Sequence, residues 1–228
     1  NIYFSNGHME LVFCGKTGRW LSVSDTTSGS KILNKGGYLS PVYITYGGRT
    51  TVTRGRLQMW HLEDTCTAGP NLVLESYHIE TEGCMEWLVL DTVEGDIRVR
   101  QLYGFKKGSD ILCRRIDITW TGKEEILLRK VDFRTPAIVD TENIILEAPG
   151  YPCVLHQKLD SLPMGKWPMM PDIHDNDAPV SRAGLLVFRY PESNLLLWGY
   201  SDLMPSMMLI NRSEWGVLPM QRIYAPCR

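Results

Sequence analysis

Histidine and glutamate side chains on predicted strands are the first candidates for chemistry in this sequence. A general acid paired with a general base can move protons at a reacting centre. No short motif joins these residues, and an imidazole on a strand is ordinarily half-buried or solvent-facing. We therefore expect no catalytic residue in this chain. The residues considered are His61, His78, His156, Glu63, Glu75, Glu80 and Glu147.

A polar cluster at 172–177 has the oxygen ligands that calcium prefers. Its spacing departs from the EF-hand pattern, since position six is Asp177 and no glutamate follows at position twelve. A solvated, turn-forming loop is therefore predicted here, without a metal ion. The sequence also has no glycine-rich phosphate loop and no G-x-S-x-G elbow. We expect no cofactor.

The segment 157–182 differs from the rest of the chain because it has four prolines and no strand pattern. A long irregular loop inside a compact domain is usually functional or disordered. Trp167 offers a flat apolar face that can stack on a sugar ring or on a neighbouring domain. Equally, its role can be to pin the loop to the domain. The carbohydrate contacts that we predict in this loop are Trp167, Asp172, His174 and Asp175.

Composition excludes two classes of partner. The formal net charge is −2, with both signs spread along the chain and no basic stripe, so no nucleic-acid partner is expected. The longest apolar runs, such as 195–198, are far too short to span a membrane. Residues 1–8 have no basic region followed by an apolar core, so they are not a signal peptide; export stays open as an alternative, and a cytoplasmic location is favoured.

The six cysteines are scattered through the chain, and no two have C-x-x-C spacing. This spacing excludes a zinc ribbon and a thioredoxin-like site. A domain with 43% hydrophobic residues does not need disulfides to fold. We therefore expect free, largely buried thiols.

Alternation of apolar and polar residues is the dominant pattern from Met9 to Tyr224. Turn residues separate the alternating runs, and no stretch has sustained helical spacing with caps at both ends. The pattern predicts a single all-β domain over 1–228, an antiparallel β-supersandwich of two packed sheets with a long irregular loop near 157–182. The clearest run, Ile97 to Phe133, predicts a meander of three strands that is wet on one side.

Three parts of the sequence resemble galactose-mutarotase-like β-supersandwich domains. The start of the chain is similar to their first hairpin, with Thr17-Gly18 as its turn and 25–29 reading D-x-x-S-G. The run 112–116 is similar to the "hydrophobic-x-R-R-hydrophobic" segment of N-terminal domains in large glycosidases. The strands at 184–188 and 195–199 resemble the last hairpins before the catalytic barrel in family 36 α-galactosidases.

The resemblance implies a non-catalytic N-terminal domain that supports a catalytic barrel and lines its sugar entrance. The catalytic carboxylates would then lie in a domain that follows Arg228, where the chain stops directly after a patterned segment. Carbohydrate and that C-terminal catalytic domain are the implied partners. Two alternatives stay open: an independent carbohydrate-binding module with an exposed aromatic row, and a mutarotase-like epimerase with a His facing a Glu.

The cysteine spacing leads to a first testable prediction. Titrating the unfolded, unreduced protein with a thiol reagent should find most of the six cysteines reactive. A result of no reactive thiol would mean three disulfides and an oxidising compartment.

Overall fold

The chain folds almost entirely into antiparallel β-strands, which confirms the all-β fold predicted from the alternation. The computed structural model describes residues 1–33, 40–47, 50–54, 57–61, 66–149, 154–162, 165–166, 185–191, 195–199, 206–213 and 216–224. In these residues there is no α-helix, and a short 3-10 turn at Leu159–Ser161 is the one helical element. The strands are β1 (Ile2–Ser5), β2 (Met9–Phe13), β3 (Trp20–Asp25), β4 (Lys31–Leu33), β5 (Val42–Gly47), β6 (Thr50–Arg54), β7 (Leu57–His61), β8 (Cys66–Ala68), β9 (Val73–Glu82), β10 (Met85–Glu94), β11 (Ile97–Lys106), β12 (Leu112–Trp120), β13 (Leu127–Arg134), β14 (Ile145–Pro149), β15 (Val154–Lys158), β16 (Gly165–Lys166), β17 (Leu185–Arg189), β18 (Leu195–Gly199), β19 (Ser206–Ser213) and β20 (Gly216–Tyr224).

The described strands form five hydrogen-bonded sheets, four of which contribute to shared buried cores. The N-terminal sheet has the order β1-β2-β3-β4, and the long-strand sheet has the order β12-β11-β10-β9. A six-stranded sheet runs β16-β19-β20-β13-β5-β8, a third four-stranded sheet runs β15-β14-β17-β18, and β6 pairs with β7. The largest core draws on four of these sheets, so the layers pack face to face as in a sandwich.

The first half of β11, in the long-strand sheet, follows the predicted alternation, whereas residues 101–105 are all buried. On β11, Ile97, Val99 and Tyr103 are buried while Arg98 and Arg100 are exposed. One face of this sheet therefore supplies core, and the other carries the charges. Its hairpin turns at 83–84 and 95–96 each begin with a glycine at positive φ, which suits a two-residue turn.

The predicted three-stranded meander is wrong in its third strand. β11 and β12 do pair, but β13 leaves their sheet and pairs with β5 and β20 in the six-stranded sheet. Val131 and Phe133 on β13 face a second core, where they pack against apolar residues of both sheets. The hydrophobic face of β13 is thus buried against the core face of β11 and β12. β13 does not pair with β12 as a further strand of their sheet.

Another boundary also differs from the sequence prediction. The segment predicted as an irregular loop from residue 157 starts inside β15 and continues through the 3-10 turn, where Leu159 and Leu162 are buried. Residues 163–164 and 167–182 of that segment lie outside the described residues.

Four cysteines have free thiols, as predicted. Cys66 and Cys84 are exposed, and Cys14 and Cys113 are partly buried. The prediction that the thiols are largely buried is therefore only partly correct. Cys153 and Cys227 lie outside the described residues.

Arg114 of β12 joins three sheets from the core side. Its guanidinium carbon lies 5.2 Å from the Tyr103 ring centre and 5.8 Å from that of Trp20 on β3. Its Nη1 and Nη2 donate hydrogen bonds of 2.9 and 2.8 Å to the carbonyls of Arg134 and Pro41, at the six-stranded sheet. Burial lowers the pKa of Arg114, but the side chain keeps aromatic faces and carbonyl acceptors around its charge.

On the charged side of the long-strand sheet, the Trp87 ring lies over Gly104 of the neighbouring strand. The two residues are directly opposite in register, and a Cβ at position 104 would overlap the ring. Trp87, Val89 and Leu102 form a small buried apolar cluster on this face. The absence of a side chain at Gly104 is therefore what lets β10 and β11 keep their register beside this cluster.

This contact predicts a specific loss of stability. Gly104→Ala should lower the free energy of unfolding by about 1–3 kcal/mol, because overpacking forces the ring or the strands to shift. Denaturant unfolding measures the loss. In a Trp87→Leu background the same change should cost clearly less, and equal costs in both backgrounds would contradict the contact.

Candidate functional site: a charged groove on the long-strand sheet

The residues that the sequence singled out for carbohydrate contact are not placed by the structure. Trp167, Asp172, His174 and Asp175 all lie outside the described residues. Their role stays a prediction. The described residues instead bring together a different set of polar side chains, on β9 to β12.

Two histidines are in direct contact with glutamates. His78 Nε2 is 3.4 Å from Glu80 Oε2 on the same strand, and both side chains are about half exposed. His156 Nδ1 is 3.3 Å from Glu147 Oε1 across β14 and β15. An acid and a base that act on opposite sides of a substrate need space between them, and these pairs are in direct contact.

The charge state of Glu147 fits an ion pair and does not fit a general acid. Arg189 Nη2 donates to Glu147 Oε2 at 3.1 Å, and this hydrogen bond, with the His156 contact, lowers the pKa of the Glu147 carboxyl. A carboxyl shifted in this direction is ionised at neutral pH, so it is unsuited to donate a proton. For the remaining candidates, Glu75 pairs with Arg98, and the side chains of His61 and Glu63 are outside the described part of the chain.

A groove of about 450 Å³ crosses the charged face of the long-strand sheet. Eight of its nine lining residues are acidic, basic or hydroxyl residues from four adjacent strands, although polar and apolar atoms contribute about equally to its surface. We call it the charged groove. Its lining residues are Glu75, Ser76, Asp91, Thr92, Arg98, Val99, Arg100, Asp117 and Thr119.

The centre of the groove is a row of four side chains in register across the sheet. Ser76, Asp91, Arg100 and Asp117 are successive cross-strand partners on β9, β10, β11 and β12. Ser76 Oγ donates to Asp91 Oδ2 at 3.2 Å, and Arg100 Nε donates to Asp91 Oδ1 at 2.8 Å. The hydrogen bond with Asp91 raises the pKa of Arg100, so this guanidinium stays charged.

A bulge in β9 brings a second ion pair to the groove. The register shifts between Asp91 and Thr92, so that Glu75 has no directly opposite partner on β10. Bulges re-aim side chains, and Glu75 Oε2 accepts a 3.0 Å hydrogen bond from Arg98 Nη1. The groove therefore holds two carboxylate–guanidinium pairs side by side.

This arrangement suits binding of a neutral ligand with several hydroxyl groups. Carboxylates accept hydrogen bonds, guanidinium groups donate them, and each hydroxyl of such a ligand can do both. The ion pairs are solvent-exposed, with Arg98 57% and Arg100 53% exposed, so ligand oxygens can reach them. In the described residues no group of three or more His, Cys, Asp or Glu side chains could hold a metal ion.

Sequence reasoning missed the groove although part of its signal was present. The alternation correctly assigned Arg98 and Arg100 to the exposed face of β11. What the alternation cannot give is register, because which residue of β10 lies opposite Arg100 depends on the turn and on the bulge. A search for opposite charges at alternate positions of neighbouring strands would have found the central row.

Comparison with known proteins does not identify the chain, since no protein family and no curated protein matches it. As for membranes, none of the described helical structure is long and apolar enough to cross one.

The environment of Glu147, which we considered above as a catalytic candidate, gives a prediction about the pKa of its carboxyl. Its carboxyl should titrate below the ordinary glutamate range, and Arg189→Gln should raise its pKa, because the hydrogen bond from Arg189 is the largest cause of the shift. Carbon-13 NMR titration measures both values. His156→Ala should raise the pKa less, and a larger effect of His156→Ala would contradict this order of causes.

Proposed function

We propose that this chain is a non-catalytic β-sandwich domain of a glycoside hydrolase, and that it binds carbohydrate in the charged groove. The observation that carries the proposal is the central row of the groove. Ser76, Asp91, Arg100 and Asp117 offer a hydroxyl, two carboxylates and a guanidinium in a line across four strands. The glycosidase context comes from the sequence resemblance alone.

The shape of the groove also favours a sugar chain over a small apolar ligand. Small-molecule pockets are lined mostly by apolar residues, whereas eight of the nine residues that line this groove are polar or charged and their carbon atoms supply about half of its surface. An open site that buries little surface binds weakly, and we expect dissociation constants of about 1 mM. Weak binding of this kind suits a domain that holds substrate near another domain's active site.

An independent carbohydrate-binding module is the second candidate, and its expected aromatic row has little support. Tyr3 and Tyr77 are the large aromatic residues exposed by more than half in the described part of the chain, on strands of different sheets. Most other described aromatic side chains are buried in the cores or packed against them. For a mutarotase-like epimerase, the two described His–Glu pairs, His78–Glu80 and His156–Glu147, are in direct contact and leave no space for a substrate between them.

The experiment is a titration of the 228-residue chain with oligosaccharides, followed by NMR chemical shifts. We expect α-galactosides such as raffinose to shift resonances of β9 to β12. Arg100→Gln should weaken binding about ten-fold, because it removes the charged donor at the centre of the row. Polarimetry on the same samples should show no acceleration of anomer interconversion.

Arg189→Gln is the matched control. Arg189 is 51% exposed and ion-paired to a carboxylate, like Arg100, but it lies on β17 outside the groove. It should leave binding unchanged. Equal losses in both variants, or shifts confined to residues outside β9 to β12, would remove the groove from the proposal.

A further inference from the structure

β9 is the edge of the long-strand sheet, and it is unusually exposed for its length. It has ten residues, and it pairs with β10 on one side while no described strand pairs with its other side. Eight consecutive residues, from Glu75 to Glu82, are all exposed. A long exposed edge presents unpaired backbone donors and acceptors, so it is a template for another strand.

The face of β9 that continues the core is apolar but uncovered. Tyr77 and Ile79 lie opposite Leu90 and Leu88, which are buried, so all four share one face of the sheet. Tyr77 is nevertheless 57% exposed and Ile79 is 56% exposed. Two large apolar side chains of an edge strand therefore lie in solvent, where a neighbouring strand would cover them.

The regular part of β9 is self-complementary. Because the bulge interrupts pairing beside Glu75, the regular stretch is 76–82, and its midpoint is Ile79. In antiparallel pairing about that midpoint, Ile79 faces its own copy and Tyr77 faces Thr81. On the opposite face, His78 faces Glu80. Apolar and aromatic–β-branched pairs meet on one face, and groups capable of opposite charge meet on the other.

From this register we propose that two copies of this chain associate through β9, by antiparallel pairing about Ile79. The two long-strand sheets then form one sheet of eight strands with the order β12-β11-β10-β9-β9-β10-β11-β12. The contact is isologous and uses up the exposed edge, so association stops at the dimer. The proposal does not depend on the proposed function.

The acidic residues of β9 disfavour several alternative registers, such as pairing about Glu80, and are compatible with pairing about Ile79. Glu75, Glu80 and Glu82 lie on one strand, and a register that placed two of them opposite each other would be destabilised. Pairing about Ile79 places Glu80 opposite His78 and Glu82 opposite Ser76, so no two carboxylates are directly opposed. It also places Glu82 of one copy beside Ser76 of the other, at the border of the charged groove.

The first test is sedimentation velocity over a range of micromolar concentrations. The wild-type chain should sediment as a dimer in equilibrium with monomer. Ile79→Lys should raise the dimer dissociation constant roughly ten-fold or more, because two lysines then face each other at the two-fold axis. A wild-type chain that stays monomeric throughout, or a dimer that Ile79→Lys leaves intact, overturns the proposal.

Ile111→Lys is the matched control, since Ile111 is 66% exposed and lies between β11 and β12. It should leave the dimer unchanged, and an equal loss in both variants would assign association to general surface hydrophobicity instead. Circular dichroism and thermal melting check that Ile79→Lys is folded, as its exposed position predicts.

The second test concerns register and does not depend on the lysine variant. In a background where Cys66 and Cys84 are replaced by serine, Ile79→Cys should form a disulfide-linked dimer on mild oxidation, because this residue faces its own copy. Tyr77→Cys, which faces Thr81, should do so much more slowly. Faster cross-linking through position 77 than through position 79 overturns the register.

Discussion

The burial of one arginine between sheets is the constraint on which the rest of the fold depends. Arg114 has no carboxylate among its described contacts; two backbone carbonyls accept its hydrogen bonds, and three aromatic rings lie within 6 Å of its guanidinium carbon. Removing a guanidinium from water is costly unless such partners are held in place. The N-terminal sheet, the long-strand sheet and the six-stranded sheet meet at this side chain, whose Nη1 and Nη2 are hydrogen-bonded while its buried Nε has no hydrogen-bond partner among the described residues. A second buried charge, Arg222, is held by both oxygens of Asp132 on β13, which fixes the register of the two central strands of the six-stranded sheet.

The same strand that buries Arg114 presents the groove. On β12, Arg114, Ile116 and Ile118 lie on the core face, and Arg115 and Asp117 lie on the other, because successive side chains of a strand alternate. A one-residue slip of β12 would expose the buried guanidinium and turn Asp117 into the core. The core contact of Arg114 thereby fixes the register that aligns Asp117 with Arg100. The rigidity of the groove comes from the opposite side of the sheet.

The sequence predicted the all-β fold class and which face is buried on the most clearly patterned strands. It did not predict which strands pair with each other. Alternation over 97–100 of β11 predicted which side chains are buried, since burial of every second residue is a local property, but it did not predict that 101–105 are buried on both faces. The partner of β13 is not local: the turn at 121–126 permits either continued pairing with β12 or a crossing to the six-stranded sheet. Packing of Val131 and Phe133 decides between them. Short strands such as β4 and β8 have three residues each and carry too little pattern to be recognised. The bulge that turns Glu75 toward Arg98 arises from the pairing of β9 with β10, so the sequence of β9 alone does not predict it.

The groove and the exposed edge both use β9, yet they use different parts of it. Ser76 contributes to the groove from the charged face, whereas Tyr77 and Ile79 lie on the face that continues the core. The edge itself is backbone, which belongs to neither face. Because alternation separates the two apolar side chains from the charged row, a change at Ile79 leaves the Asp91–Arg100 ion pair untouched, and a change at Arg100 leaves the edge untouched. The proposals of carbohydrate binding and of dimerisation can therefore be tested independently of each other.

If both proposals hold, the two grooves lie on the same face of one continuous sheet, side by side across the two-fold axis. A long sugar chain can then contact both copies and bind more tightly than either groove alone would allow.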